Sequence, residues 1–338
     1  MKRRKFLLSS STLILSLTIP KISLAKVSKN YFKLTAQLSK FKFNEKGNKT
    51  SNLWLYNQQS PGPSISVDKG KELIVEFKNL LEEPTTIHWH GIRNINAMDG
   101  VANLTQPPIE PGETFIYKFP VNDAGTFWYH AHNKSWEQVS RGLYGPLIVK
   151  DTSPIGFDRD ITLVADDWRL NKDYQFDEKS LGSLMDWSHQ GRLGNWLTIN
   201  GESNPKITIE ENSNVRLRLI NASNARTFNF KFNNYKPEII ALDGAPCIPF
   251  KRSSFQIAPG QRIDFLLKIN NKNLNLFENS TAKPYPTAVF EVKKSSANLN
   301  KVINLTNLKK WNKFPKINQA EIIDIHMQGG AMGNLSSA

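Results

Sequence analysis

The chain has 338 residues, a formal charge of +14 and a single cysteine, and 10% of its residues are aromatic; that length accommodates two ordinary domains, each with its own core. The lone Cys247 excludes an intramolecular disulfide, a zinc ribbon and a dithiol redox pair, so any bound metal must be held by imidazole and oxygen ligands with one sulfur at most. The basic residues are scattered among Asn, Asp and Glu, which gives no nucleic-acid footprint and leaves only a weak attraction to acidic surfaces.

At the N-terminus, basic "MKRRK" precedes the apolar run "FLLSSSTLILSLTI" and the small-residue stretch "SLA" at Ser23–Ala25. The run is too short and too rich in Ser and Thr to span a bilayer comfortably, so residues 1–25 read as an export signal and no stable membrane anchor is expected. Arg3-Arg4 followed by Phe6-Leu7 resembles a twin-arginine signal, with Lys2 where that signal prefers Ser or Thr; a general secretory signal is the alternative. The expected location is the periplasm.

Short alternating segments separated by turn residues follow. In Lys71–Leu80, the residues Leu73, Val75 and Phe77 share one face, which is the period of a half-buried strand. "TTIHWHG" (Thr85–Gly91) comes next, then a second alternating strand over Thr114–Val121 with Phe115, Tyr117 and Phe119 on one side. "TFWYHAHN" (Thr126–Asn133) precedes a buried strand over Gly145–Asp151 that ends the first unit. From about Phe157 the pattern restarts. A strand is predicted over Asp160–Trp168, two strands joined by a polar turn over Leu197–Asn224, and a closing segment over Phe255–Asn270. "KGKELIVEFKNL" matches "ENSNVRLRLINA", and "IEPGETFIYKF" (Ile109–Phe119) matches "IAPGQRIDFLL" (Ile257–Leu267). Similar Pro-Gly turns entering similar strands imply two copies of one β-sandwich.

Four of the six histidines fall in two His-x-His pairs, His88/His90 and His130/His132. On a strand, residues i and i+2 point to the same face, so each pair projects together, with Trp89 and Ala131 turned the other way. If the two strands are neighbours, four imidazoles converge. Imidazole suits copper, zinc, iron and nickel, and spacing alone does not choose among them. The remaining histidines, His189 and His326, are isolated in the sequence.

The flanking residues add more. "HWHG", "MDG" (Met98–Gly100), "TQPPIEPGETFIYKF", "AGTFWYHAH" and "GLYGPLIV" occur in that order and together closely resemble the first cupredoxin domain of multicopper oxidases. The resemblance continues more weakly through "RLRLINASNARTFNF" and "IIALDGAP" into a second such domain. It implies an all-β chain of tandem cupredoxin-like Greek-key β-sandwiches. Residues 1–25 would be the signal, 26–152 the domain with copper ligands, 153–300 a second domain without them, and 301–338 a lead-in to a third. It further implies that His88 ligates a type 2 copper, and that His90, His130 and His132 ligate a binuclear type 3 pair. Asp99 matches an acidic residue that assists proton delivery; an Asp-Gly turn is its plainer reading. Trp89, Trp128 and Tyr129 read as packing around the site.

Such enzymes couple this cluster to a type 1 copper held by Cys and His in a last domain, oxidise a small reducing substrate and reduce dioxygen to water. Cys247 in "LDGAPCIPF" has no histidine nearby in sequence and does not match a type 1 ligand, while His326 in "IHMQGGAMGN" resembles the segment leading into a third domain. The expected function is therefore a laccase-like multicopper oxidase represented without its type 1 domain and inactive on its own. A non-enzymatic periplasmic copper-binding or assembly protein is the alternative, and zinc at the four histidines is a third, weaker one.

Overall fold

The computed structural model describes residues 30–43, 49–152, 155–280, 283–295, 299, 301–305, 318 and 320–324. The expected export signal and His326 lie outside the described residues. Nineteen strands and two short helices build two successive sandwiches among them.

The first comprises β1 (Tyr31–Phe41), β2 (Ser51–Tyr56), β3 (Ile65–Asp68), β4 (Glu72–Asn79), β5 (Ile87–His90), β6 (Thr114–Pro120), β7 (Gly125–Ala131) and β8 (Tyr144–Lys150), with helix α1 (Ser135–Gln138) between the last two. They form two sheets, ordered β2-β1-β4-β6 and β3-β8-β7-β5. Parallel β1/β4 and β3/β8 pairs within otherwise antiparallel sheets give the Greek-key crossing. The alternation in β4 and β6 does what its period predicts: Leu73, Val75 and Phe77 with Tyr117 and Phe119 are fully buried. They pack on Trp89, Phe127 and Tyr129 from the facing sheet. Burying aromatic and branched side chains of this size stabilises by roughly 1.5–3 kcal/mol each.

The second sandwich comprises β9 (Arg159–Trp168), β10 (Trp196–Ile199), β11 (Lys206–Glu210), β12 (Asn214–Asn221), β13 (Phe228–Phe232), β14 (Glu238–Leu242), β15 (Ala245–Lys251), β16 (Ser254–Ile257), β17 (Arg262–Lys268), β18 (Leu274–Glu278) and β19 (Tyr285–Lys293). Its sheets run β10-β9-β12-β17-β14-β15 and β11-β19-β18-β13-β16. Without β14, β15 and β16, these orders repeat the first sandwich strand for strand. The sequence repeat falls on equivalent strands, β4 with β12 and β6 with β17.

Two local expectations change. Leu197–Asn224 holds three strands, because Asn200 (φ +53°) and Gly201 (φ +81°) turn the chain after β10 before β11 joins the other sheet. Phe255–Asn270 does not close the unit, since β18 and β19 follow it.

The sandwiches share a buried joint. Leu53, Leu55, Trp128 and Tyr144 from the first pack with Val164, Trp168, Phe176 and Ile220 from the second. Beside them Thr126 Oγ1 donates to Asp264 Oδ1 at 2.6 Å and accepts from Arg218 Nη1 at 2.7 Å. Arg216 Nη2 lies 2.5 Å from Asp264 Oδ2. Thr126 sits on β7, four residues before His130 and on the same face of the strand, so this joint anchors the histidine-bearing strand.

Candidate metal centre

β5 pairs antiparallel with β7, and the register sets His88 directly opposite His130. Strand alternation then sorts the side chains: Trp89, Tyr129 and Ala131 enter the core, and His88, His90, Trp128 and His130 line the other face. One ring nitrogen from each of His88, His90 and His130 lies within 4.8 Å of the others. The His90 Nδ1 to His130 Nε2 distance is 3.3 Å.

His132 behaves differently. β7 ends at Ala131, so His132 follows the strand, with its ring centroid 5.2 Å from that of His88 and 6.0 Å from that of His130. It is not in the three-donor group. Its position depends on bonds to the approach to β5: His132 N donates to Thr86 O at 3.3 Å and Asn133 Nδ2 to Pro84 O at 2.6 Å. Gln138 on α1 is fully buried, donates to the same Pro84 carbonyl at 2.9 Å and accepts from Thr85 Oγ1 at 2.6 Å. Sequence reasoning missed Asn133 and Gln138. Two amides just after a His-x-His pair were the available signal, and nothing in them separates a brace from an ordinary polar loop.

Hydrogen bonds fix which nitrogens face the cavity. A carbonyl only accepts, so His88 Nδ1 carries its proton toward Asp99 O at 2.8 Å, and His130 Nδ1 does the same toward Ala131 O at 2.9 Å. Both rings therefore present a bare Nε2. Asp99 Oδ1 is 3.4 Å from the same His88 nitrogen, which places the carboxylate beside the pair. That approach requires Gly100, whose φ is +77°. A Cβ there would fall 1.7 Å from the Ile87 carbonyl oxygen.

Burial also lowers the basicity of these rings. It depresses His88, and it pushes His130 well below the ordinary imidazole value. His90 is brought down to about 3 by burial and then by the neighbouring Arg262 charge. The three stay neutral near pH 7 and keep their lone pairs, as a soft or borderline metal requires. A cavity of about 580 Å³ opens over them, lined also by Trp136 and Trp187. The Trp128 ring lies tilted 4.3 Å from that of His130 and 5.0 Å from that of His90, centroid to centroid.

The other candidates lie apart. His189 Nδ1 is bonded locally to Met185 O at 3.0 Å after helix α2 (Leu184–Ser188). Cys247, on β15, packs against the second core, where burial raises its thiol. The strands equivalent to β5 and β7 in the second sandwich are β13 and β18, which carry no histidine.

Tandem Greek-key sandwiches carry, on one strand pair, three converging neutral imidazoles that could hold a metal ion. Residues 37–154 and 159–295 each match a multicopper oxidase family model. The multicopper oxidase mco of Staphylococcus haemolyticus is 30% identical over 94% of this chain and 75% of its own length. Laccase-2 of Botryotinia fuckeliana is 33% identical over 65% of this chain, but the match spans only 40% of that protein. The crystal structure of a multi-copper oxidase from Pseudomonas Thermotolerans superposes with a TM-score of 0.79 at 31% identity, covering 86% of this chain and 70% of that one. The chain belongs to the multicopper oxidase family, whose members are copper-binding oxidoreductases, and its sandwiches are cupredoxin-like.

Proposed function

We propose that His88, His90, His130 and His132 form the N-terminal half of a trinuclear copper cluster, with His88 on the type 2 copper and the other three on the type 3 pair. The observation that supports this most is the trio of neutral imidazoles on one strand pair, each with a ring nitrogen within 4.8 Å of the others. The bound copper would supply one-electron redox steps and a site for dioxygen. Four one-electron oxidations of a reducing substrate would then balance one O₂ and four protons against two waters.

The protein's own residues hold and orient. Asp99 fixes the His88 tautomer through its carbonyl, and its carboxylate, 3.4 Å from that ring, would pass protons there. β7 and α1 hold His130 and His132 at the cavity, and the core behind Trp89 keeps water from the rear of the site. Four histidines are half of the eight that the family's cluster uses, and Cys247 packs against the second core. A third cupredoxin domain would supply the rest. The periplasm is the proposed compartment, reached through the N-terminal signal. On this reading, the copper-loaded chain by itself consumes no more oxygen with a phenolic reductant than free copper does. Sustained four-electron turnover in an oxygen electrode would overturn the half-cluster assignment.

A further inference from the structure

The duplicated I-x-P-G turns have diverged in their surroundings. Gly112, in the first copy, has φ +85° and a Cβ there would meet nothing within 4 Å. Gly260, in the second, has nearly the same φ of +79°, yet a Cβ there would lie 3.0 Å from His90 Cε1 and 3.5 Å from its Nε2. The same backbone device is solvated in one sandwich and pressed against a candidate ligand in the other.

The Gly260 turn is held in place on two sides. Gly260 N donates to Asn221 O at 2.9 Å, and Arg262 Nη1 donates to Gly260 O at 3.0 Å. The guanidinium fork also donates from Nη2 to Asp243 O at 2.8 Å, and from Nε to Thr126 O, on the first sandwich, at 3.2 Å. Arg262 is itself buried. The chain beside His90 makes room for it: a Cβ at Gly91 would fall 2.4 Å from Arg262 Nη2.

We propose that the second sandwich, which has no histidine pair of its own, is a positioning element for His90: the Pro259–Gly260 turn walls the imidazole, and Arg262 ties that turn to β7. This rests on the copper reading only for its consequence at the metal, because the contact itself exists without one. Partners of ligating histidines typically change metal affinity by about 10–100-fold when lost.

The paired turns supply their own control. Gly260→Ala and Gly112→Ala impose the same backbone strain, but only the first places a methyl against His90. In metal-free, isotope-labelled protein, the His90 Cε1–Hε1 resonance (assigned by its loss in His90→Gln) should shift by more than its linewidth in Gly260→Ala and stay put in Gly112→Ala. Copper(II) affinity should fall about 10-fold in Gly260→Ala and under about twofold in Gly112→Ala. If Gly260→Ala does not fold, Arg262→Lys, which keeps the charge but loses the planar fork, should shift the same resonance. An unmoved His90 resonance, or equal shifts in the two glycine variants, overturns the positioning role. Copper binding undiminished in His130→Ala would instead overturn the copper reading, and the metal-free resonance would still decide the role of the turn.

Discussion

The Nδ1–H of His88 is bound to the Asp99 carbonyl, so the Nε2 lone pair is left for the cavity. One hydrogen bond therefore fixes both a tautomer and a ring plane, and it exists only because Gly100 lets its turn lie on β5. Gly100→Ala should destabilise the fold by about 2 kcal/mol or more, since the methyl would overlap a strand carbonyl at a positive φ. It should also weaken copper binding by pulling Asp99 away from His88. Thermal denaturation and a copper titration on the same sample check both effects. His130 is the most buried of the four imidazoles, and its Nε2 faces His90. His130→Ala should abolish tight copper binding with a smaller loss of stability, as read by metal analysis after dialysis.

At the scale of elements, β5 and β7 were legible from sequence because a two-residue period is all that projecting a histidine pair requires. Their pairing in register, His88 opposite His130, also depends on β-sheet neighbours that no local pattern names. The alternation extends the strand to His132, yet the residue follows the strand end, because strand ends are set by hydrogen bonds to other segments, here the Thr86 carbonyl. Asp99 became a candidate only through family resemblance; its contact with His88 is made by a loop folding back on β5. The brace through Gln138 and the wall formed by Gly260 left no readable local signal, since the first works through an ordinary-looking amide and the second bridges 170 residues. The joint between sandwiches was illegible for the same reason. There, burial alone would raise the Asp264 carboxyl, but the guanidinium groups of Arg216 and Arg218 outweigh it and hold it below its ordinary value. The native state then binds this proton more weakly than the unfolded chain does. Its stabilising contribution is complete above about pH 4 and is lost as pH falls below that. Asp264→Asn leaves the buried Arg216 guanidinium without its anion and Arg218 with Asp160 alone, and should cost about 3–5 kcal/mol at neutral pH. Its stability should also depend less steeply on pH below about 4, which denaturant titrations across the acid range would show.

Across the whole molecule, one topology has been used twice with different outcomes. The first sandwich places histidines on the strand pair β5/β7, whereas the equivalent β13 and β18 carry none and the second sandwich instead packs its Pro-Gly turn on the site. The repeat in topology was readable from "IEPGETFIYKF" and "IAPGQRIDFLL", because turn and strand together constrain a fold more than either does alone. The family assignment carries copper as the expected metal, and the donor geometry supports it. The most direct test is copper content and electron paramagnetic resonance of the purified chain beside its His130→Ala variant. Copper should be bound by the first and lost from the second, with no intense blue absorption from a thiolate-ligated centre. Equal copper in both proteins, or a blue signal that disappears on Cys247→Ser, would overturn the assignment of copper to these histidines.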